Sequence, residues 1–242
     1  LLSAAKGILL DWDGCIAVGN RVLPFAKKLI AQHAERIAIV SNNSTHLPRD
    51  LEDILAQQGV RLSHERIFLA GAEAVRHVAA SGDMRVMLLS ASRIKLYARE
   101  LGMTMARRNP DLVLLMRDAK FSYAKLELAA NALRSGAKLV VANADLTHPG
   151  PDNRVVPETG ALLAALLACT GAEVQREVIG KPGPLLFERA CACLGAAPEE
   201  TVMIGDNPDT DGEGAVNAGI RPILIGGRSP LRLEHLVESA TV

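Results

Sequence analysis

The sequence lacks a surplus of charge of either sign: 27 Lys and Arg offset 27 Asp and Glu, the formal net charge is zero, and no basic block appears. Nothing therefore supplies the electrostatic footprint that a nucleic-acid polymer requires. Apolar runs of bilayer length are missing too. The longest, "GALLAALLAC" at Gly160–Cys169, has the length of a buried helix, so no membrane partner is expected. The cysteines Cys15, Cys169, Cys191 and Cys193 lack metal-ligand spacing, and Cys191 and Cys193, two apart on a helical run, face different directions. With no signal-peptide pattern in the residues given, which do not begin with Met, the expectation is a reducing, cytoplasmic setting. No G-x-G-x-x-G follows the first strand-like run, and "IGGR" at Ile225–Arg228 imitates it weakly, which argues against dinucleotide binding. What remains is 242 residues with 49% hydrophobic content, enough for a real core in one large domain or two modest ones.

Strand-like runs alternate with helical ones. "GILLDWD", "RIAIVSN", "RVMLLS", "DLVLLM", "KLVVAN", "TVMIGD" and "RPILIG" read as strands. Helices are predicted at Pro24–His33, Leu47–Gln58, Ser122–Ser135, Glu158–Thr170 and Pro184–Leu194, and Gly59, Gly136, Gly171 and Gly195 stop several of them. This alternation predicts an α/β fold of right-handed βαβ units with a doubly wound parallel sheet. Residues 79–175 carry strand and helix runs of their own and read as a second α/β domain inserted into a first made of residues 1–78 and 176–242.

Three strand runs end in polar residues: Asp11 with Asp13, then Ser41-Asn42-Asn43, then Asp206-Asn207. In open α/β sheets ligands bind beyond the carboxyl ends of the strands, so these ends are candidates for one site. Asp11 and Asp13 face the same way if the chain stays extended, and two such charges repel unless a cation or proton lies between them. The competing reading makes Asp13-Gly14 a turn and Asp11 a helix cap. "VMIGDNPDTD" adds Asp206, Asp209 and Asp211, with Gly205 permitting close backbone approach; Asp209 reads as an N-cap rather than a ligand. Grouped with Asp11 and Asp13, these oxygens suit a hard cation that keeps some of its waters, Mg²⁺ before Ca²⁺ or Zn²⁺. Neither the spacing nor the closing Glu of an EF-hand is present. Lys181, in the Gly/Pro-bounded "VIGKPGP", offers a point charge for phosphate, although taken alone a solvated surface lysine is the commoner case. It is not a Walker loop, because Pro182 follows it. "SNNST" offers a hydroxyl and turn amides that can cradle an anion. Together these parts read as a carboxylate nucleophile, a second carboxylate to move a proton, donors for phosphoryl oxygens and ligands for Mg²⁺.

In this order, "LLDWDGC", "IVSNNS", "GKPGP" and "MIGDNPDTD" resemble the four motifs of the haloacid dehalogenase (HAD) superfamily phosphatases. "SNNST", "KFSYAKLELA", "VVANADLTHPG" and "TGALLAALLACTGAEVQREVIGKPGPLLFERA" resemble its NagD-type, 4-nitrophenyl phosphatase-like branch. The resemblance implies a HAD-like Rossmannoid core with a large inserted α/β cap, and Mg²⁺-dependent hydrolysis of a small phosphomonoester through an aspartyl-phosphate. The expected substrates are a sugar phosphate, nucleoside monophosphate, glycerol phosphate, phosphoglycolate or pyridoxal phosphate. It implies Asp11 as nucleophile and Asp13 as general acid and then base, with the Asp13 main-chain carbonyl on Mg²⁺. Ser41, Asn42 and Lys181 would hold the phosphoryl group, Asp206 would bind Mg²⁺, and Asp211 would support it. Asn143, Asp145 and His148 fall in the loop that reads the leaving group, and a homo-oligomer through the cap is one arrangement the resemblance allows. A receiver-like phospho-aspartate module or a catalytically silent relative is the alternative; Asp13 and the insertion argue against the receiver. The chain departs from the family pattern at Cys15, Gly212, Ala144, Glu158 and Arg117, and the last three bear on substrate choice.

Overall fold

The computed structural model describes residues 2–149, 154–226 and 229–237. Along the chain the strands are β1 (Gly7–Leu10), β2 (Ala17–Val18), β3 (Arg21–Val22), β4 (Ile37–Ser41), β5 (Ile67–Leu69), β6 (Arg85–Leu89), β7 (Thr104–Met105), β8 (Leu112–Leu115), β9 (Lys138–Val141), β10 (Thr147–Pro149), β11 (Val155–Pro157), β12 (Arg176–Val178), β13 (Thr201–Gly205) and β14 (Arg221–Leu224). The chain divides into two compact units. One comprises Leu1–Ser41, Pro48–Leu69 and Lys181–Val242, the other Asn42–Leu47 and Ala70–Gly180. The second unit is wider than the 79–175 span read from the sequence. β12, too polar to read as a strand, pairs in parallel with β9, and so draws the chain up to Gly180 into that unit.

The first unit is built on a parallel sheet in the order β14-β13-β1-β4-β5. The chain lays β4 and β5 on one side of β1 and later β13 and β14 on the other, so the winding reverses at β1. That reversal opens a crevice at the carboxyl end of β1, where open α/β sheets bind ligands. Ile8, Leu9 and Leu10 are fully buried, as a strand covered on both faces requires, and each contributes about 2 kcal/mol by leaving water. The helix Leu185–Leu194 buries Leu186, Phe187, Ala190 and Cys191 on one stripe and packs on β1, β4 and β5. It stops at Gly195, whose left-handed φ of 61° a side chain would resist. Cys193 on the same helix is exposed, as the spacing predicts.

The second unit has its own parallel sheet, β12-β9-β8-β6-β7, and an antiparallel pair β10-β11. Helices Tyr123–Arg134 and Thr159–Thr170 contribute Ala129, Leu133, Leu163 and Leu166 to a core with Leu89, Val113, Leu115 and Val141 of the strands. Ser122 starts the first of these helices by accepting from the Lys125 N–H. The helices Ala70–Ala80 and Ser92–Glu100 are additional to those read from the sequence. No helix among the described residues is long and apolar enough to cross a membrane.

Candidate active site

The site in the first unit begins where β1 stops. The ladder continues one residue beyond the strand, the Asp11 N–H donating to the Ile204 carbonyl at 2.9 Å, and so fixes Asp11 at the end of the sheet with only 6% of its surface exposed. The chain then turns. Gly14 takes φ 84°, and its N–H donates to the Ala17 carbonyl at 3.0 Å. A Cβ on Gly14 would stand 2.5 Å from Asp206 Oδ2, so that turn needs glycine for room as well as for conformation. The chain does not stay extended past Asp11, and Asp13 is exposed while Asp11 is buried. The turn at Asp13-Gly14 therefore coexists with a buried Asp11 and does not compete with it.

Lys181 reaches this point from the opening of its own segment. Its Nζ donates to Asp11 Oδ1 at 2.6 Å and to Asp211 Oδ1 at 2.5 Å, and the side chain is 2% exposed. Lys181 is thus buried and not a solvated surface residue, and two carboxylates compensate the ammonium for the water it has lost. Asp211, 1% exposed, also accepts the Asn207 N–H at 3.1 Å. Gly205 has no side chain because a Cβ there would overlap the Asp211 carboxylate. Asn207, rather than Asp209, caps the turn Pro208–Gly212 by accepting from the Asp209 N–H at 2.9 Å. Asp209 is exposed, so the N-cap expected of it belongs two residues earlier, where the side chain can reach back over the first turn. At Gly212 a Cβ would make only ordinary contact with Leu224, at 3.6 Å.

Carboxylate oxygens of Asp11, Asp206 and Asp211 lie within 4.8 Å of one another. Three acids share one ammonium, and the electrostatics carry that imbalance. Burial pushes the Asp11 carboxyl well above its ordinary range; Lys181 opposes this and Asp211 adds to it. Burial and then Asp211 push Asp206 upward as well. Burial alone would lower the Lys181 ammonium, but Asp11 and Asp211 outweigh it and hold the proton on. An all-oxygen set with surplus negative charge fits a hard divalent cation, which would relieve the repulsion. Cys15 is no competing nucleophile, since burial and then Asp11 push its thiol well upward, and its Sγ donates to the Ile204 carbonyl at 3.4 Å. Ser41, 1% exposed, closes β4 beside β1 on the same sheet end.

The other sequence-predicted residues gather in the second unit. Asn42 Nδ2 donates to Asp145 Oδ1 at 3.2 Å. Asn143 is fully buried; its Nδ2 donates to the Asn42 carbonyl at 2.8 Å and to Thr159 Oγ1 at 3.2 Å, and its Oδ1 accepts the Asp145 N–H at 3.2 Å. That amide therefore holds the two loops that present Asn42 and Asp145. Ser44 completes the arrangement by accepting the Arg117 N–H at 3.2 Å. His148 Nδ1 donates to Glu158 Oε1 at 2.7 Å, and Arg117 Nη1 lies 3.4 Å from the same oxygen. Of the loop "NADLTHPGPDNR", residues Gly150–Asn153 lie outside the described residues. Sequence reasoning did not find the Arg117–Glu158 pair, whose members lie far apart in the chain.

Residues 8–104 match the family described as haloacid dehalogenase-like hydrolase, and residues 178–240 match that described as HAD-hyrolase-like. The dihydroxyacetone phosphatase of Corynebacterium glutamicum is 30% identical over 96% of this chain and 88% of its own length. The 5'-nucleotidase YutF of Bacillus subtilis is 30% identical over 91% of this chain and 86% of its own. Among solved structures, the 4-nitrophenylphosphatase of Thermotoga maritima superposes with a TM-score of 0.89 at 26% identity, covering 99% of both chains. The chain belongs to the haloacid dehalogenase-like hydrolases.

Proposed function

We propose that this chain is a Mg²⁺-dependent phosphatase of small phosphomonoesters that works through an aspartyl-phosphate on Asp11. The observation that carries the reading is the buried Asp11–Lys181–Asp211 network with Asp206 beside it, in a chain whose relatives are named as phosphatases. Asp11 attacks phosphorus, the bond from phosphorus to the ester oxygen breaks, and Asp13 gives its proton to the departing alkoxide. Asp13, now a carboxylate, takes a proton from water. That water attacks phosphorus, the bond to Asp11 breaks, and inorganic phosphate leaves with Asp11 restored. Lys181, Ser41 and Asn42 hold the phosphoryl oxygens while its charge is redistributed. Asp11, Asp206 and the Asp13 main-chain carbonyl would hold Mg²⁺, supported by Asp211, and the ion neutralises charge so that a dianion can approach a carboxylate. The exposure of Asp13 supports its role, because a group that exchanges protons with water must reach it.

In this reading the second unit is the substrate-reading cap, with Asp145 and His148 assigned to the leaving group and Asn143 to positioning the loop that carries them. A reducing, cytoplasmic setting completes the reading, supported by four free cysteines. The test is release of inorganic phosphate with and without Mg²⁺ from a panel of sugar phosphates, nucleoside monophosphates, glycerol phosphate, phosphoglycolate and pyridoxal phosphate. Mg²⁺-dependent hydrolysis of at least one ester is expected, and no hydrolysis of any would overturn the proposal.

A further inference from the structure

Asp13 stands on a short arc of chain that turns back on itself directly after β1. The Trp12 carbonyl accepts the N–H groups of Ile16 at 3.2 Å and Ala17 at 3.0 Å, the Gly14 N–H donates to the Ala17 carbonyl, and Asp13 forms an isolated bridge with Ala17. The arc therefore ends in β2, and whatever holds β2 also holds Asp13. β2 and β3 form a two-stranded ribbon of two residues a side, a unit that is marginal in water by itself. Buried Ala17 and Val22 seat one side of it, and Gln58, just past the helix Pro48–Gln57, ties down the other. Gln58 Oε1 accepts the Val22 N–H at 3.0 Å, and its Nε2 donates to the Asn20 carbonyl at 2.7 Å and the Ile54 carbonyl at 3.2 Å. The Leu23 N–H donates across the ribbon to the Ile16 carbonyl at 2.9 Å, so the N–H of its neighbour Val22 points away from β2 and takes its partner from Gln58. Lys27 Nζ fixes Gln58 in turn by donating to its main-chain carbonyl at 3.0 Å.

We infer that Gln58 is a positioning residue for the proton step: by holding Asn20 and Val22 it sets the backbone of β2, and through it the place of the Asp13 carboxyl. The inference rests on the phosphatase reading above, in which Asp13 protonates the departing alkoxide. Asp13 is exposed, so its placement depends on the backbone of the arc more than on side chains packed around it. Proton transfer requires hydrogen-bond reach, roughly 2.6–3.2 Å, and a shift of the arc by about an ångström is enough to slow it. Asp11 is held by different means, its N–H on the Ile204 carbonyl and its carboxylate on Lys181, and neither bond passes through the ribbon. Loosening Gln58 therefore slows protonation of the leaving group and spares the attack by Asp11.

Single-turnover rates of the first displacement test this on two esters: 4-nitrophenyl phosphate, whose leaving group needs no proton, and the alkyl ester of the panel that the parent hydrolyses fastest, whose leaving group needs one. Gln58→Met keeps the length of the side chain and removes its amide. The alkyl-ester rate should fall by about tenfold while 4-nitrophenoxide release stays within about threefold. Added to Asp13→Asn, Gln58→Met should cost nothing further on the alkyl ester, because the group it positions no longer carries a proton. Equal losses on the two esters overturn the inference, as does a full further loss in the Asp13→Asn background. Lys27→Met leaves the Gln58 amide in place and frees only its main chain, so it should show the same split at about threefold on the alkyl ester. It decides the matter where Gln58→Met does not fold, and no split there overturns the inference. A split in Asp13→Asn with none in the Gln58 and Lys27 variants overturns the inference alone and leaves the phosphatase reading standing. Equal losses in Asp13→Asn itself, or a parent that hydrolyses no ester, overturn that reading and this inference with it.

Discussion

The two units use the same architecture, a five-stranded parallel sheet, but balance their buried charge differently. In the second unit three carboxylates with little exposure have a cation each: Glu73 pairs with Arg76, Asp118 with Lys125 at 2.6 Å, and Glu158 with Arg117 at 3.4 Å. In the first, Lys181 serves both Asp11 and Asp211, and Asp206 crowds the same space. One-to-one pairing stabilises a shape. A surplus of buried negative charge is costly for the apo protein, and it persists where a cation completes the set. The contrast teaches that charge balance, more than fold, separates the unit to which we assign the chemistry from the unit to which we assign recognition.

The comparison breaks most severely at Asp11. Asp11→Asn keeps the shape and hydrogen-bonding capacity and removes the nucleophilic charge, so hydrolysis of 4-nitrophenyl phosphate should fall by about 10⁴-fold or more, measured with deamidation excluded by mass spectrometry. Removal of divalent ions with EDTA should lower the same rate by about 10²-fold or more, and Mg²⁺ should restore it while Ca²⁺, with its looser and higher coordination, should not. Activity that survives verified metal removal would leave the surplus charge in the first unit without its explanation.

Stability sharpens the contrast. Lys181→Met leaves Asp11 and Asp211 buried without their shared counter-ion, and urea unfolding in metal-free buffer should report a loss of about 3–5 kcal/mol. Asn143→Ala removes a neutral amide from the second unit's buried network of Ser44, Thr159 and the Asn42 carbonyl, and should cost about 1–3 kcal/mol by the same measurement. Equal losses would mean that the charged network is no more demanding than the neutral one. Mg²⁺ should shift the Asn143→Ala and parent transitions upward alike, because neither lacks a member of the acidic set.

Most of this frame was legible in the sequence because its strands are continuous apolar runs, and seven such runs coincide with β1, β4, β6, β8, β9, β13 and β14. The helix Pro24–His33 was legible to the residue, with Pro24 at its first position and a buried stripe of Ala26, Leu29 and Ile30. What escaped was short or polar. β5 has only three residues and runs straight into the helix Ala70–Ala80 with no capping residue between them, and β12 exposes Arg176 and Glu177 at the edge of its sheet. At the site, strand ends announced Asp11, Ser41 and Asp206, whereas the burial of Lys181 depends on Asp11 and Asp211 arriving from distant segments. The exchange of Asp209 for Asn207 as cap turned on which side chain lay before the turn. The Arg117–Glu158 pair was unreadable for the same reason as the Lys181 network: only the tertiary fold makes those residues neighbours.

The central claim, that Asp11 carries the phosphoryl group covalently, is tested most directly in Asp13→Asn protein. 4-Nitrophenoxide leaves without needing a proton, so the first displacement proceeds, while the second stalls for want of a base. Acid-quenched single-turnover reactions digested with trypsin should place one phosphoryl group on the peptide Gly7–Arg21, assigned to Asp11 by fragmentation and absent from the Asp11→Asn, Asp13→Asn double variant. A phosphoryl group on any other peptide, or phosphate released as fast as by the parent with no adduct, would contradict the account.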